Sequence, residues 1–128
     1  LQDITPLPSN WAKETKWHSL KKIPKLAFDH KEILNECVKE LQEKVMSEPI
    51  WTKVLPEKFT LTAFQELFET ILQREFDKGN FRKKINGVKF LKRLDESQKN
   101  VRHRPSILYK FDSKAFQQYK AKGFVFDF

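Results

Sequence analysis

Apolar residues recur at helical spacing in three successive stretches of the chain, and each stretch predicts a helix. The first spans residues 30–46 and opens with Asp29–Glu32, which has the spacing of a capping box. Phe28 precedes it and can pack on Ile33 as a hydrophobic staple. Cys37 falls on the apolar face, so we expect a buried, unreactive thiol there. The stripe consists of Ile33, Leu34, Cys37, Val38, Leu41 and Val45.

The second stretch predicts a core helix from Thr62 to about Gln73, with Thr62–Gln65 as its capping box. Ahead of it, Ser47 is placed to cap a shorter helix that has Pro49 in its first turn. These two helices supply much of the predicted core. Their apolar positions are Phe64, Leu67, Phe68, Ile71 and Leu72 in the longer helix and Ile50, Trp51, Val54 and Leu55 in the shorter one.

The third stretch, Asp77–Gly87, differs because its polar face carries only cations, amides and a glycine. Asp77 is the predicted N-cap. At about 100° per residue, Phe81, Ile85 and Val88 share one face. A short helix held by so few apolar residues is typical of a surface that binds a polyanion. The positions facing outward are Gly79, Asn80, Lys83 and Asn86, with Arg82 and Lys84 on the flanks.

Two segments with the residue alternation of β-strands follow, and after them a final helix. Val88–Leu94 and Ile107–Phe111 predict an antiparallel hairpin, whose connection, residues 95–106, is polar and basic. Residues 113–121 predict a helix, and we expect the aromatic tail, Phe124–Phe128, to add a strand or to dock in a groove. This order predicts a winged helix-turn-helix, a mainly α fold with a small β-hairpin wing (α+β).

The sequence before the first helix has no strong periodicity. Its prolines interrupt any helix, and Thr15–Leu20 alone predicts a short strand. Trp11 and Trp17 are costly to leave in water, so we expect both to pack on something. The chain is accordingly divided into residues 1–29, the tail end of an upstream domain or a linker; 30–46, a connector helix; 47–112, the winged helix-turn-helix; and 113–128, a C-terminal helix and the aromatic tail.

Positive charge is concentrated in one part of the chain. The net charge is +8, yet residues 1–72 balance to −1 and residues 111–128 to +1. Residues 73–110 alone carry 12 Lys and Arg against 4 Asp and Glu. Such a block indicates an electrostatic footprint for phosphate, and the alternative is a solvated basic surface.

Other chemistry is poorly supported by the sequence. Cys37 is the single cysteine, which excludes an internal disulfide and fits a reducing compartment. His18, His30 and His103 form no known ligand pattern with it, so we expect no metal and no cofactor. No run approaches the ~18 apolar residues of a membrane-spanning helix, and no signal peptide is visible. Because the chain begins with Leu1, we expect it to be part of a longer protein.

Duplex DNA is the polyanion that the basic helix fits best. Asparagine pairs with adenine and lysine with guanine, whereas flanking cations and hydroxyl groups suit phosphates. For each of these residues the alternative is ordinary surface charge. The candidates are Asn80, Lys83 and Asn86 for base edges; Lys78, Arg82, Lys84, Thr60 and Thr62 for the duplex near them; and Lys99, Arg102 and Arg104 in the wing.

Several segments, taken in order, resemble the C-terminal part of Nudix-related transcriptional regulators. The resemblance covers about residues 17–128. It implies an upstream Nudix-like sensor domain, dimers that bind a palindromic operator, and a small sugar-linked effector that controls a repressor in the cytoplasm, associated with the nucleoid. The segments that carry it are Leu26–His30, Leu55–Thr62, Asp77–Ile85, Arg104–Pro105, Leu108–Phe111 and Gly123–Phe126.

The chain departs from that family in two respects. The Nudix box, with its glycine and paired glutamates, does not occur in these 128 residues, so we expect no enzymatic activity here. Relatives often carry arginine at the position of Gly79, where this chain has no side chain to offer.

Two other functions remain open from the sequence. One is a protein-interaction or dimerisation module with a winged-helix shape, which the aromatic tail and the tryptophans favour. The other is a non-catalytic fragment of a Nudix hydrolase. Glu36, Glu40 and Glu43 lie on one helix, but beside lysines they indicate a solvated face.

Overall fold

The computed structural model of the protein describes residues 5–10, 12–102 and 104–128. The chain divides between Cys37 and Val38 into two compact units, which are described separately. In the first unit, a 3-10 helix at Leu20–Lys22 begins where Ser19 Oγ accepts a hydrogen bond from the Lys21 amide at 3.4 Å. The strand expected at Thr15–Leu20 is therefore wrong.

The two tryptophans of this unit have different outcomes. Trp17 is 72% exposed, so most of its indole is not packed on the part of the chain that the structure describes. Trp11 lies outside the described residues, and its expected packing stays a prediction.

Helix α1 (His30–Ser47) confirms the first predicted helix, but its N-terminal half is more exposed than the apolar stripe suggested. Phe28 is 94% exposed, so it does not act as a hydrophobic staple on Ile33. Cys37 is exposed, and the expectation of a buried thiol is wrong. Val45 is the buried member of the helix. Periodicity defines an apolar face, but it does not establish that another element covers that face.

The segment after α1 differs from the predicted short helix. Ser47 is the last residue of α1, and its hydroxyl donates to the Glu43 carbonyl at 3.3 Å instead of capping a new helix. A 3-10 helix, Ile50–Lys53, follows. Trp51 on that helix is fully buried, as predicted, whereas Val54 just after it is 41% exposed.

The second unit continues with a short strand and two helices. Strand β1 (Lys58–Thr60) leads directly into helix α2 (Leu61–Leu72), and helix α3 (Lys78–Asn86) follows. The Thr60 side chain caps α2 by accepting a hydrogen bond from the Ala63 amide at 3.1 Å. The capping box predicted at Thr62 is therefore wrong by two residues.

Two further strands and a helix complete this unit. Strands β2 (Leu91–Ser97) and β3 (Ile107–Phe111) form the predicted antiparallel hairpin, and helix α4 (Ser113–Ala121) follows. Strand β2 begins three residues later than predicted, since Val88 lies before it. Strand β1 pairs antiparallel with β3, so the sheet is three-stranded in the order β1-β3-β2.

An aromatic core holds these elements together. Trp51, Phe64, Phe68 and Phe90 are each 0% exposed, and the Phe64 and Phe68 ring centroids lie 4.9 Å apart. Phe126 of the aromatic tail is buried among them, so the tail docks into the core, which is one of the two predicted outcomes. The arrangement is a winged helix-turn-helix, as the sequence predicted.

Candidate nucleic-acid interface

Helix α3 is fixed to the core by the two residues that its sequence pattern singled out. Phe81 and Ile85 are both buried, with Phe81 stacked on Phe76 at a centroid distance of 5.8 Å. Asp77 caps the helix, because its carboxylate accepts a hydrogen bond from the Asn80 amide at 2.8 Å. These three predictions are confirmed, and the opposite face of α3 is left to solvent.

The turn between α2 and α3 is held by polar side chains of α2. The Phe76 amide donates to Glu69 Oε1 at 2.9 Å, and Gln65 Nε2 donates to the same oxygen at 2.9 Å and to the Phe76 carbonyl at 3.0 Å. These bonds from Gln65 and then Phe76 lower the pKa of Glu69 below its usual value. Gln73 ends α2 in the left-handed region, with φ of 55°. Two side chains of α2 thus bind both the amide and the carbonyl of Phe76 in the turn.

Most of the residues predicted to contact DNA lie together on α3 with their side chains exposed. Lys83 is at the centre of the outward face, with Asn80 and Asn86 on either side of it along the helix. Lys78 and Arg82 are also exposed. The structure therefore places these five candidates on one short helix, where a polar ligand can reach them.

Lys84 differs from its neighbours because the aromatic tail binds it. Its ammonium donates a hydrogen bond to the main-chain carbonyl of Asp127 and lies 3.9 Å from the Asp127 carboxylate. A groove of about 740 Å³ runs beside it, between the turn, α3 and Phe128. Asn80, Lys83 and Lys84 line the α3 side of that groove.

The two threonines predicted near the DNA lie at the start of α2. Thr60 is 7% exposed, and its hydroxyl is the acceptor that caps α2. Thr62 is half-buried in the first turn of the same helix. Their proposed phosphate contacts remain predictions.

The wing is closed at its base by two hydrogen bonds. The Gln98 amide donates to the Ser106 carbonyl at 2.9 Å, and the Ser106 amide donates to Gln98 Oε1 at 3.4 Å. Between them, Asn100 takes a positive φ of 58°, which turns the chain. Lys99, Arg102 and Arg104 are exposed in this loop. His103 lies outside the described residues.

Several lysines of the sheet and its flanks are neutralised by nearby acids. Lys58 contacts Glu96 at 2.7 Å, and Lys110 contacts Glu57 at 2.6 Å. The second pair raises the pKa of Lys110 and lowers that of Glu57, in each case first through their hydrogen bond. The charges of Lys58 on β1 and Lys110 on β3 are therefore compensated within the protein.

The described residues offer little support for other kinds of site. Among residues 5–10, 12–102 and 104–128, no group of three or more His, Cys, Asp or Glu side chains is arranged to hold a metal ion. Within the same ranges, no helix combines the length and apolar character needed to cross a bilayer.

Sequence reasoning did not find two features that shape this interface. Gln65 and Glu69 look like ordinary polar positions on an amphipathic helix, and nothing in their spacing indicates that they bind a turn. The contact of the aromatic tail with α3 was also missed, although the alternation of aromatics in Phe124–Phe128 did indicate docking.

Comparison with known proteins agrees with this geometry. Residues 52–111 match the family described as the NrtR DNA-binding winged helix domain. An ADPR-responsive transcriptional repressor, NtrR of Acinetobacter baylyi, is 31% identical over 110 residues, which cover 84% of this chain and 42% of that protein.

Two crystal structures of Shewanella oneidensis NrtR share the fold. The one in complex with a 27mer DNA is 24% identical, with a TM-score of 0.59, and the match covers 80% of this chain and 43% of that one. The other is 24% identical, with a TM-score of 0.55, covering 72% and 41%. The chain thus spans less than half the length of these relatives.

Proposed function

We propose that this chain, which carries an NrtR-type winged-helix DNA-binding domain and is homologous to Nudix-related regulators, is the sequence-specific DNA-binding part of a transcriptional regulator. The observation that supports this most directly is the exposed face of α3. Helix α3 presents cations and amides to solvent on this face, while its opposite, apolar face is anchored in the core.

In the proposed complex, α3 enters the major groove. Lys83 meets guanine, and Asn80 and Asn86 meet adenine, each by hydrogen bonds to base edges. Lys78 and Arg82 contact phosphates, and so does Lys84, whose ammonium has three donors and can keep its bond to the Asp127 carbonyl. Thr60 and Thr62 at the start of α2 approach one phosphate, since a helix N-terminus favours anions.

The wing clamps the neighbouring backbone in this proposal. Lys99 and Arg102 contact phosphates, and Arg104 inserts into the minor groove, where a narrow groove attracts cations. Because these charges displace counterions, binding is expected to weaken steeply with added salt.

We propose the remaining properties for the whole protein from the resemblance to Nudix-related regulators. It acts as a homodimeric repressor on a palindromic operator and responds to a small sugar-linked effector bound by an upstream Nudix-like domain. Residues 1–29 are then the end of that domain or a linker, and residues 30–46 a connector helix. The part described here acts by binding and not by catalysis, and the protein works in the cytoplasm, at the nucleoid.

Selection of bound duplexes from a random pool tests the proposal. We expect a palindromic consensus, together with an affinity for the winning duplex that falls steeply as salt is raised. A pool that yields no consensus, with binding at low salt that is weak or indifferent to salt, would contradict the proposal. That result would favour a protein-interaction module instead.

A further inference from the structure

The aromatic tail, Phe124–Phe128, follows α4, passes the end of α1 and reaches α3. At its centre, the Phe126 amide donates to the Met46 carbonyl of α1 at 2.8 Å. The Phe126 ring is buried and meets the α2 ring of Phe68 at a centroid distance of 5.2 Å. The tail is therefore anchored to two helices before it reaches α3.

Phe128 makes the contact with α3 itself. Its ring stacks on that of Phe81, with centroids 4.9 Å apart and planes inclined by 21°. It also meets Phe76 of the turn at 5.1 Å and Phe68 of α2 at 5.2 Å. The Arg74 guanidinium donates to the Phe128 carbonyl at 2.9 Å. One side chain thus touches α2, the turn and α3 together.

Asp127, the residue before Phe128, binds the next turn of α3. The Lys84 ammonium donates to the Asp127 carbonyl, as described above, and Lys84 follows Phe81 by three residues. Helix α3 has only nine residues and two buried apolar side chains. A helix this short has little intrinsic stability, so its orientation depends on the packing around it.

We propose that Phe128 is a positioning residue for sequence recognition: the aromatic tail sets the angle at which α3 presents its side chains to the bases. This inference rests on the proposed DNA-binding function. Hydrogen bonds to base edges need their donors within about 0.5 Å of the right place. Phosphate contacts act mainly through charge and tolerate a displaced helix. Loosening the tail should therefore lower specific binding much more than non-specific binding.

Phe128→Ala tests this, with Phe124→Ala as a matched control. Phe124 belongs to the same tail, but its ring contacts are with Phe90, Tyr119 and Phe126, none of which is on α3. For each protein, affinity is measured for a duplex selected by the wild-type protein and for a mixed-sequence duplex of equal length, with folding checked by urea denaturation.

For Phe128→Ala we expect the ratio of the two affinities to fall by roughly tenfold, which is about the value of one bidentate base contact. Phe124→Ala should leave the ratio unchanged, and Phe128→Tyr, which retains the ring, should restore it. If Phe128→Ala does not fold, Phe128→Leu leaves a smaller cavity and should lower the ratio in the same way.

Two results would overturn the inference. One is an unchanged ratio in the folded Phe128 variant, and the other is an equal loss in both alanine variants, which would reduce the tail to a general stabilising element. A wild-type protein that prefers no duplex would instead overturn the proposed function itself, so the two failures are distinguishable.

Discussion

The Glu69 carboxylate accepts a hydrogen bond from the Phe76 backbone amide at 2.9 Å, so a side chain of α2 fixes the turn that leads into α3. Gln65 supports the same oxygen from one helical turn earlier. The turn contains no glycine, and Gln73 adopts the left-handed conformation that glycine usually supplies. These polar contacts from α2 therefore hold the spacing between the two helices.

Replacing Glu69 should loosen this turn. In Glu69→Ala, the Phe76 amide loses its acceptor, so we expect a lower urea midpoint and weaker specific DNA binding at neutral pH. Glu69→Gln is the matched control, because its amide oxygen can still accept from Phe76. Equal urea midpoints for Glu69→Ala and the wild-type protein would contradict the assignment.

The same residue predicts a pH dependence. Because the folded-state pKa of Glu69 lies below its ordinary value of 4.5, its contribution to stability is present above that pH. It is lost as the pH falls from there through the folded-state pKa. Urea midpoints measured across this acidic range should fall less in Glu69→Gln than in the wild-type protein. Parallel pH profiles for the two proteins would show that Glu69 does not carry this effect.

The part of the interface that could be predicted from sequence is the part determined locally. The Asp77 cap, the buried pair Phe81 and Ile85 and the exposed Lys83 follow from helical geometry and from neighbours within one turn. Such features need no knowledge of the rest of the fold.

What sequence analysis missed depends on contacts between distant parts of the chain. Strand β1 is three residues long, and its residue Lys58 pairs with Lys110 far along the sequence, so no alternation could reveal it. Helix α2 also begins earlier in the sequence than predicted, directly after β1, so Thr60 and not Thr62 is the cap. Cys37 was misplaced for the same reason, since whether a helix face is covered is decided by other elements.

The N-cap of α3 should be measurable as a stability effect. Asp77→Ala removes the acceptor of the Asn80 amide, and loss of such a cap costs about 1 kcal/mol of the free energy of unfolding. Asp77→Ser retains an acceptor and should lose much less. Urea denaturation of the three proteins checks this, and equal losses in Ala and Ser would argue against the cap.

Lys83 should contribute to DNA binding through its charge. In Lys83→Ala we expect weaker binding to the selected duplex and a plot of log affinity against log salt whose slope is smaller by about 1. Lys39→Ala removes an exposed lysine from α1 and should leave the slope unchanged. An unchanged slope in Lys83→Ala would remove this residue from the interface.

Gly79 offers a gain-of-function test of the outward face. It lies in the first turn of α3 and is exposed, and a Cβ there would meet Asp77 Oδ1 at 3.3 Å. That contact is tight, and Asp77 Oδ1 also caps α3, so the small shift that relieves the contact lengthens the cap bond and offsets part of the gain. Replacing a helical glycine with alanine adds up to about 1 kcal/mol of stability, so Gly79→Ala should stabilise the protein by somewhat less than this.

Gly79→Arg adds a cation to the same position. We expect it to bind a mixed-sequence duplex more tightly than Gly79→Ala does, with a salt slope steeper by about 1, because in the proposed complex the new side chain lies beside the DNA. Comparing the two variants separates charge from helix stability, since both remove the glycine. If the arginine variant binds no better than the alanine variant while both are folded, this edge of α3 does not face the DNA. The residues of α3 proposed to contact DNA would then be limited to the side of the helix that carries Asn80 and Lys83.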